Sequence, residues 1–260
     1  MRVPGTRVTS AGSREGAPLV LGHRGASAEA PENTLAAFRL AVEQGADGVE
    51  LDVWRCRSGE VVVHHDPDLR RTAGLPLRVQ AAAWQELRRA DVGAWRGPRF
   101  RGERVPLLAE VLEAVPGALV NVELKSSGLP DAGLPAAVAR VVRSARASDR
   151  CILSSFDPLL LALLRARAPS LRRGLLIADE RGWRVRDRVG RLLLRPAAVH
   201  PQARLVDARA VADWRGAGLA VNVWTVDAPS ELVRLAGLGV SAVITNQPAL
   251  ARRVLRGRSP

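Results

Sequence analysis

In the segment GVELDVW, residues 48–54, apolar and acidic side chains alternate. On a strand, Val49, Leu51 and Val53 share one face and Glu50 and Asp52 the other. The strand follows a helical segment and reads as internal to an α/β protein, with both faces covered. Two carboxylates on a covered face repel each other unless a cation or a donor stands between them. A solvated face is the plainer explanation of this pair, and metal binding is the chemical one.

Ser58-Gly59, between VELDVWRCR and EVVVHHD, reads as a two-residue hairpin loop. Pairing outward from that turn sets Arg57 opposite Glu60, Trp54 opposite Val63 and Asp52 opposite His65. Opposed residues share a face with Cβ atoms roughly 5 Å apart. This register predicts His65 beside the carboxylates and His64 facing away as a structural residue.

The strand LVNVELK, residues 119–125, repeats the pattern, with Asn121, Glu123 and Lys125 on one face. Lys125 is the only lysine in the chain. A structural Glu–Lys pair is the ordinary explanation of residues 123 and 125. Three carboxylates around one point instead suit a hard cation with oxygen ligands, such as Ca²⁺ or Mg²⁺. With four histidines and no Cys/His ligand spacing, zinc fits poorly. Arg24 and Lys125 beside a carboxylate-bound cation describe a phosphate site. His23 and His65 titrate near neutral pH and could serve as acid and base across it. Either alone would ordinarily be a core histidine with one hydrogen bond. His200 ends a strand without an evident partner. Trp224, also at a strand end, either lines a pocket or plugs the space beneath it.

The elements that position these residues alternate regularly. A strand at Leu19–Gly22 ends in the polar turn His23-Arg24-Gly25, and a helix opens at Asn33 or Thr34 and ends at Gly45. The strand with Glu50 and Asp52 completes a βαβ unit. Residues 67–104, rich in Arg, Gly, Pro and Trp, break the pattern and read as a small insertion or lid with a weak helix at 82–89. Further strands are predicted at 119–125, 151–156, 173–178, 198–201, 220–227 and 242–245. Helices are predicted at 105–115, 134–147, 158–168, 185–194, 207–217, 229–238 and 248–256. With the hairpin counted in strand two, eight βα units are the complement of a TIM barrel. A doubly wound sheet is disfavoured because no Gly-x-Gly-x-x-Gly turn follows the first strand. Barrel active sites lie at the C-terminal strand ends, where this chain places its polar residues.

Composition narrows the classes further. The chain has 260 residues, 47% of them hydrophobic and only 3% aromatic, so the core is built from Leu, Val and Ala. No apolar run approaches the roughly 20 residues of a membrane span. Residues 1–18 read as a disordered leader without a secretory h-region, and the barrel domain as residues 19–260. Cys56 and Cys151 read as reduced thiols, so a cytoplasmic location is expected. The net charge of +13 comes from arginines scattered along the chain without interleaved aromatics. No nucleic-acid partner is expected, and the charge is compatible with weak peripheral association with an anionic membrane.

The segments GHRGASAEAPENT, VELDVW, VVVHHDPDLRRT, GERVPLLAEVL, VNVELK, VNVWTVD and AVITNQP, in that order, resemble the successive motifs of the glycerophosphodiester phosphodiesterase family. The resemblance runs from Leu19 to Leu250. It implies a TIM barrel with a small insertion after the His-Asp motif. It also implies an enzyme that uses one divalent metal ion, Ca²⁺ or Mg²⁺, to hydrolyse glycerophosphodiesters to sn-glycerol 3-phosphate and an alcohol. By motif position, the paired catalytic histidines fall on His23 and His65, the metal-binding acids on Glu50, Asp52 and Glu123, and the phosphate-contacting cations on Arg24 and Lys125. Three positions depart from the common pattern: Leu107 for threonine, Asn246 for aspartate and Asp227 for asparagine. A lysophospholipase D-type enzyme acting on larger lipids is the alternative, for which Trp84, Trp95 and Phe100 would line an apolar entrance. A basic nucleic-acid or membrane-surface binding module is the remote one, because a pure binder has no need of buried acids beside two histidines.

Overall fold

The computed structural model describes residues 17–178 and 182–257, so residues 1–16 of the expected leader lie outside it. Its centre is a sheet that closes on itself. The strands are β1 (Leu19–His23), β2 (Gly48–Arg55), β3 (Val61–Val63), β4 (Leu119–Leu124), β5 (Cys151–Ser155), β6 (Arg172–Ile177), β7 (Ala198–Pro201), β8 (Ala220–Val223) and β9 (Ala242–Thr245). They follow the order β1-β9-β8-β7-β6-β5-β4-β2-β3, and β1 also pairs with β2. Eight parallel strands thus form a closed TIM barrel, with β3 hung antiparallel on β2.

Helices α1 (Leu35–Glu43), α4 (Leu108–Ala114), α5 (Leu134–Ser144), α6 (Pro158–Arg167), α7 (Trp183–Leu194), α8 (Ala208–Gly216), α9 (Pro229–Gly237) and α10 (Pro248–Arg256) cover the outside. Outward residues such as Val49, Leu51, Val53, Val120 and Val122 are fully buried beneath them. The inward residues are largely polar: Glu50, Asp52, Asn121, Glu123, Ser154 and His200 are all buried. A Cβ on Gly174 would lie 2.4 Å from His200 Nε2, so only glycine there leaves room for that imidazole inside the barrel.

Between β3 and α4, residues 67–104 carry two short helices, α2 (Arg70–Ala73) and α3 (Trp84–Leu87), and three 3₁₀ turns. They pack on a cluster of Trp54, Val62, Leu69, Val79, Trp84 and Leu87, on the face of the β2–β3 hairpin opposite Val53 and Val63. Trp84 is therefore a core residue and does not line an entrance. Trp95 is exposed and gives its indole N–H to the carbonyl of Val92.

The predicted hairpin register is wrong by one residue. Trp54 faces Val62 and Val53 faces Val63, and the amide of His64 donates to the carbonyl of Asp52. The loop has three residues, Arg57-Ser58-Gly59, because Gly59 takes φ +102° and donates its N–H back to Cys56. His64, not His65, is the backbone partner of Asp52. Its imidazole still points away, with Nε2 3.1 Å from the carbonyl of Asp68.

Candidate functional site

Every side chain of the candidate site comes from the C-terminal end of a barrel strand or from the loop that follows it. Parallel register sets His23 beside Glu50, and Asp52 beside Glu123. Oxygens of Glu50, Asp52 and Glu123 lie within 4.8 Å of one another, and all three residues are buried.

Two cations fill part of this space. Arg24 Nε lies 3.3 Å from Asp52 Oδ2, and Lys125 Nζ lies 3.3 Å from Asp52 Oδ1 and 2.8 Å from Glu123 Oε1. Burial pushes the Glu50 carboxyl well up, and Asp52 and Glu123 push it further. Burial and the charge of Asp52 push Glu123 up to about 7 despite Lys125. Asp52 goes the other way. Against its burial, Lys125 and Arg24 hold it well below the usual carboxylate range. The triad thus carries more acidic groups than its two cations keep ionised. A hard cation with oxygen ligands fits that donor set, and the charge deficit is one it would fill.

The β1–α1 loop is shaped around these acids. Arg24 takes φ 55°, costly for a residue with a Cβ, and its backbone N–H donates to Glu50 Oε2 over 3.0 Å. Gly25 follows at φ +87°, where a Cβ would lie 2.5 Å from the backbone of Ala37 in α1. Asn33, also left-handed at φ 57°, donates through Nδ2 to Asp52 Oδ2 over 2.9 Å, and Thr34 caps α1.

Both predicted histidines are anchored through Nδ1. His23 Nδ1 donates to Asn246 Oδ1 at 2.7 Å, which leaves Nε2 facing Glu50 at 3.9 Å. His65 Nδ1 donates to Asp66 Oδ1 at 2.7 Å. Burial lowers the pKa of His23, and Arg24 adds to the effect. Burial lowers His65 as well; Asp52 offsets part of that, and Lys125 and Arg24 add to the lowering. In each ring Nδ1 is committed, and Nε2 is the nitrogen left for a substrate.

The residue types and spacing singled out His23, Arg24, Glu50, Asp52, His65, Glu123 and Lys125, and the fold brings all seven together. Trp224 stands at the same mouth, half-buried, with its indole N–H donating to the carbonyl of His200 over 2.7 Å. Its ring meets Phe156 edge-on at 5.6 Å. His200 is a fully buried barrel-core residue, one position before the end of β7. Sequence reasoning missed Glu32, Asp66 and Arg71. Arg71 bridges both Glu32 oxygens at 2.7 and 2.8 Å and Asp66 Oδ2 at 2.7 Å, while Glu32 also accepts from Arg24. Glu32 and Asp66 sit beside recognised motif residues, but nothing local shows that Arg71 joins them.

Fold and site together define an enzyme of the TIM-barrel class with its polar cluster at the catalytic face. The family model described as the glycerophosphoryl diester phosphodiesterase family matches residues 23–250. A glycerophosphodiester phosphodiesterase of Caldanaerobacter subterraneus subsp. tengcongensis is 33% identical over 242 residues, which span 92% of this chain and 98% of that protein. Among solved structures, an Oleispira antarctica phosphodiesterase in complex with the product sn-glycerol-3-phosphate is 31% identical, with a TM-score of 0.83 over 92% of this chain and 97% of that one. The glycerophosphodiester phosphodiesterase of Agrobacterium tumefaciens is 30% identical, with a TM-score of 0.79 over 91% of this chain and 99% of that one. The chain belongs to the glycerophosphoryl diester phosphodiesterase family and shares its phosphodiesterase activity.

Proposed function

We propose that this enzyme hydrolyses glycerophosphodiesters to sn-glycerol 3-phosphate and an alcohol, with one Ca²⁺ or Mg²⁺ held by Glu50, Asp52 and Glu123. The observation that carries the reading is the convergence of these three buried carboxylates with two Nδ1-anchored imidazoles at one barrel mouth. The product named in the Oleispira antarctica complex supports the choice of diester.

A bound divalent ion supplies charge stabilisation for the phosphoryl oxygens and orients the hydroxyl group nearby. Arg24 and Lys125, which lean on the triad, turn toward a phosphodiester once its negative charge enters. One imidazole takes a proton at Nε2 from the attacking group, either a water or the glycerol 2-hydroxyl, which gives a cyclic phosphate that a water then opens. The other gives its Nε2 proton to the leaving alcohol. Asp66 steadies positive charge on His65, whereas His23 has only the neutral amide of Asn246 behind it.

The test is release of glycerol 3-phosphate from glycerophosphocholine and glycerophosphoethanolamine with Ca²⁺, Mg²⁺ or EDTA. Metal-dependent release that disappears in Glu50→Ala/Asp52→Ala is the expected result. Release untouched by EDTA and by the double variant would overturn the assignment of the acids.

A further inference from the structure

Among the described residues, eleven large apolar side chains are exposed, and six of them lie along α6, α7 and the corner that precedes α6. They are Phe156, Leu159, Val185, Val189, Leu192 and Leu193. On α7 the last four recur at i, i+4, i+7 and i+8, which places them on one stripe. A helix on a barrel normally turns such a stripe inward. Here it faces solvent, with exposures of 66, 49, 76 and 59%.

The inner face of α7 explains the inversion. Asp187, Gly190 and Leu194 are the buried residues there. Asp187 accepts from the Trp214 indole at 3.2 Å and pairs with Arg191 at 3.1 Å. Rotating the helix to bury its apolar stripe would break these contacts. Between the stripe and β6 runs an apolar cavity of about 320 Å³, lined in part by Phe156, Ile177, Val185 and Leu193. Because Phe156 packs on Trp224, the apolar surface is continuous with the catalytic mouth.

Charge identifies the occupant. Arg167, Arg184 and Arg188 are exposed on α6 and α7, Arg165 is half-buried beside them, and the only acid in the two helices is the buried Asp187. A second copy of the chain would bring arginine against arginine. An apolar stripe flanked by arginines is instead the pattern of a helix that lies in a lipid–water interface, and anionic headgroups attract such a flank. We propose that α7 is an interfacial helix that docks this side of the barrel on an anionic lipid surface.

The test is sedimentation of the full chain with phosphatidylcholine vesicles that contain about 30% phosphatidylglycerol, beside pure phosphatidylcholine vesicles. The expected result is binding to the anionic vesicles only, weakened by salt. Val185→Ser/Val189→Ser/Leu192→Ser/Leu193→Ser and Arg184→Gln/Arg188→Gln should each lower the partition coefficient about tenfold or more. The stripe is exposed, so both variants keep the wild-type melting temperature and the wild-type hydrolysis of dissolved glycerophosphocholine. Failure to bind either vesicle, or equal binding by the serine variant, overturns the proposal. So does a wild-type dimer that the serine variant dissolves, which would make a second copy the cover. Binding of monomeric lysophospholipid without any vesicle binding would assign the groove to a single acyl chain.

Discussion

The side-chain amide of Asn246 donates to Asp227 Oδ2 across 2.6 Å, and this contact aims its Oδ1 at His23. A carboxylate can only accept, so the amide orientation is forced, and with it the proton on His23 Nδ1. Asp227 also accepts from the Asn246 backbone and from Thr245. The two departures noted in the sequence, asparagine at 246 and aspartate at 227, are thus one contact with its charge moved a residue further from the histidine.

A double-mutant cycle reads that exchange. Asn246→Asp alone opposes two carboxylates behind His23 and should lower both kcat and stability, the latter by about 2 kcal/mol. Asp227→Asn alone leaves the amide of Asn246 without its acceptor. Asp227→Asn/Asn246→Asp should recover most of both losses. Additive losses in turnover and melting temperature would show that the pair does not act as a unit.

Arg71 ties the two sides of the mouth together, through Glu32 to Arg24 and through Asp66 to His65. The pairing with Arg71 and His65 takes Asp66 down to about 2 against its burial, so Asp66 stays ionised near neutral pH. Arg71→Ala should therefore lower kcat/KM about tenfold or more by loosening His65 and Arg24 together. Because Arg71 is partly exposed, the melting temperature should change little. Steady-state kinetics beside thermal melts check the split, and a change in stability alone would make Arg71 merely structural.

Glu50, Asp52, Glu123 and Lys125 were legible because strand alternation is a local rule, and a charged residue on a covered face stands out whatever the rest of the chain does. The barrel was legible from the repeat of strand and helix. The hairpin register was not, because a three-residue loop and a two-residue loop differ only in where Gly59 takes its positive φ. The pairing error did not displace His65 from the site, since β3 ends at Val63 and the chain then turns. Arg71 and Asn246 needed the fold itself. Arg71 reaches Glu32 across 39 residues and Asn246 reaches His23 across 223, and no local pattern reports such distances.

The crowded triad makes a prediction about metal. Glu123 binds a proton in the folded state that the unfolded chain releases at its ordinary value of 4.5, since its folded pKa is pushed up to about 7. Metal-free stability should therefore fall as pH rises from 4.5 to 7, and Glu123→Gln should remove that part of the fall. Adding Ca²⁺ or Mg²⁺ at about a hundred times its Kd should raise the wild-type melting temperature by about 5–10 °C. The variant should respond far less. A variant stabilised by metal as strongly as the wild type would take Glu123 out of the ligand set.

His200 gives stability the opposite dependence on pH. Burial inside the barrel lowers its pKa from 6.5 to about 3, and its Nε2 lies 3.2 Å from the amide nitrogen of Asn222. Asn222 donates there, so the ring is neutral in the folded protein. The unfolded chain takes up the proton first as pH falls. The contribution of His200 is therefore intact above pH 6.5 and is lost progressively between 6.5 and about 3, at no more than about 1.4 kcal/mol per pH unit. His200→Gln keeps a polar group beside Asn222 but cannot titrate. Its melting temperature should start below the wild type at pH 7.5 and fall less steeply toward pH 4.5. Parallel curves across that range would mean that His200 reaches solvent and protonates without unfolding.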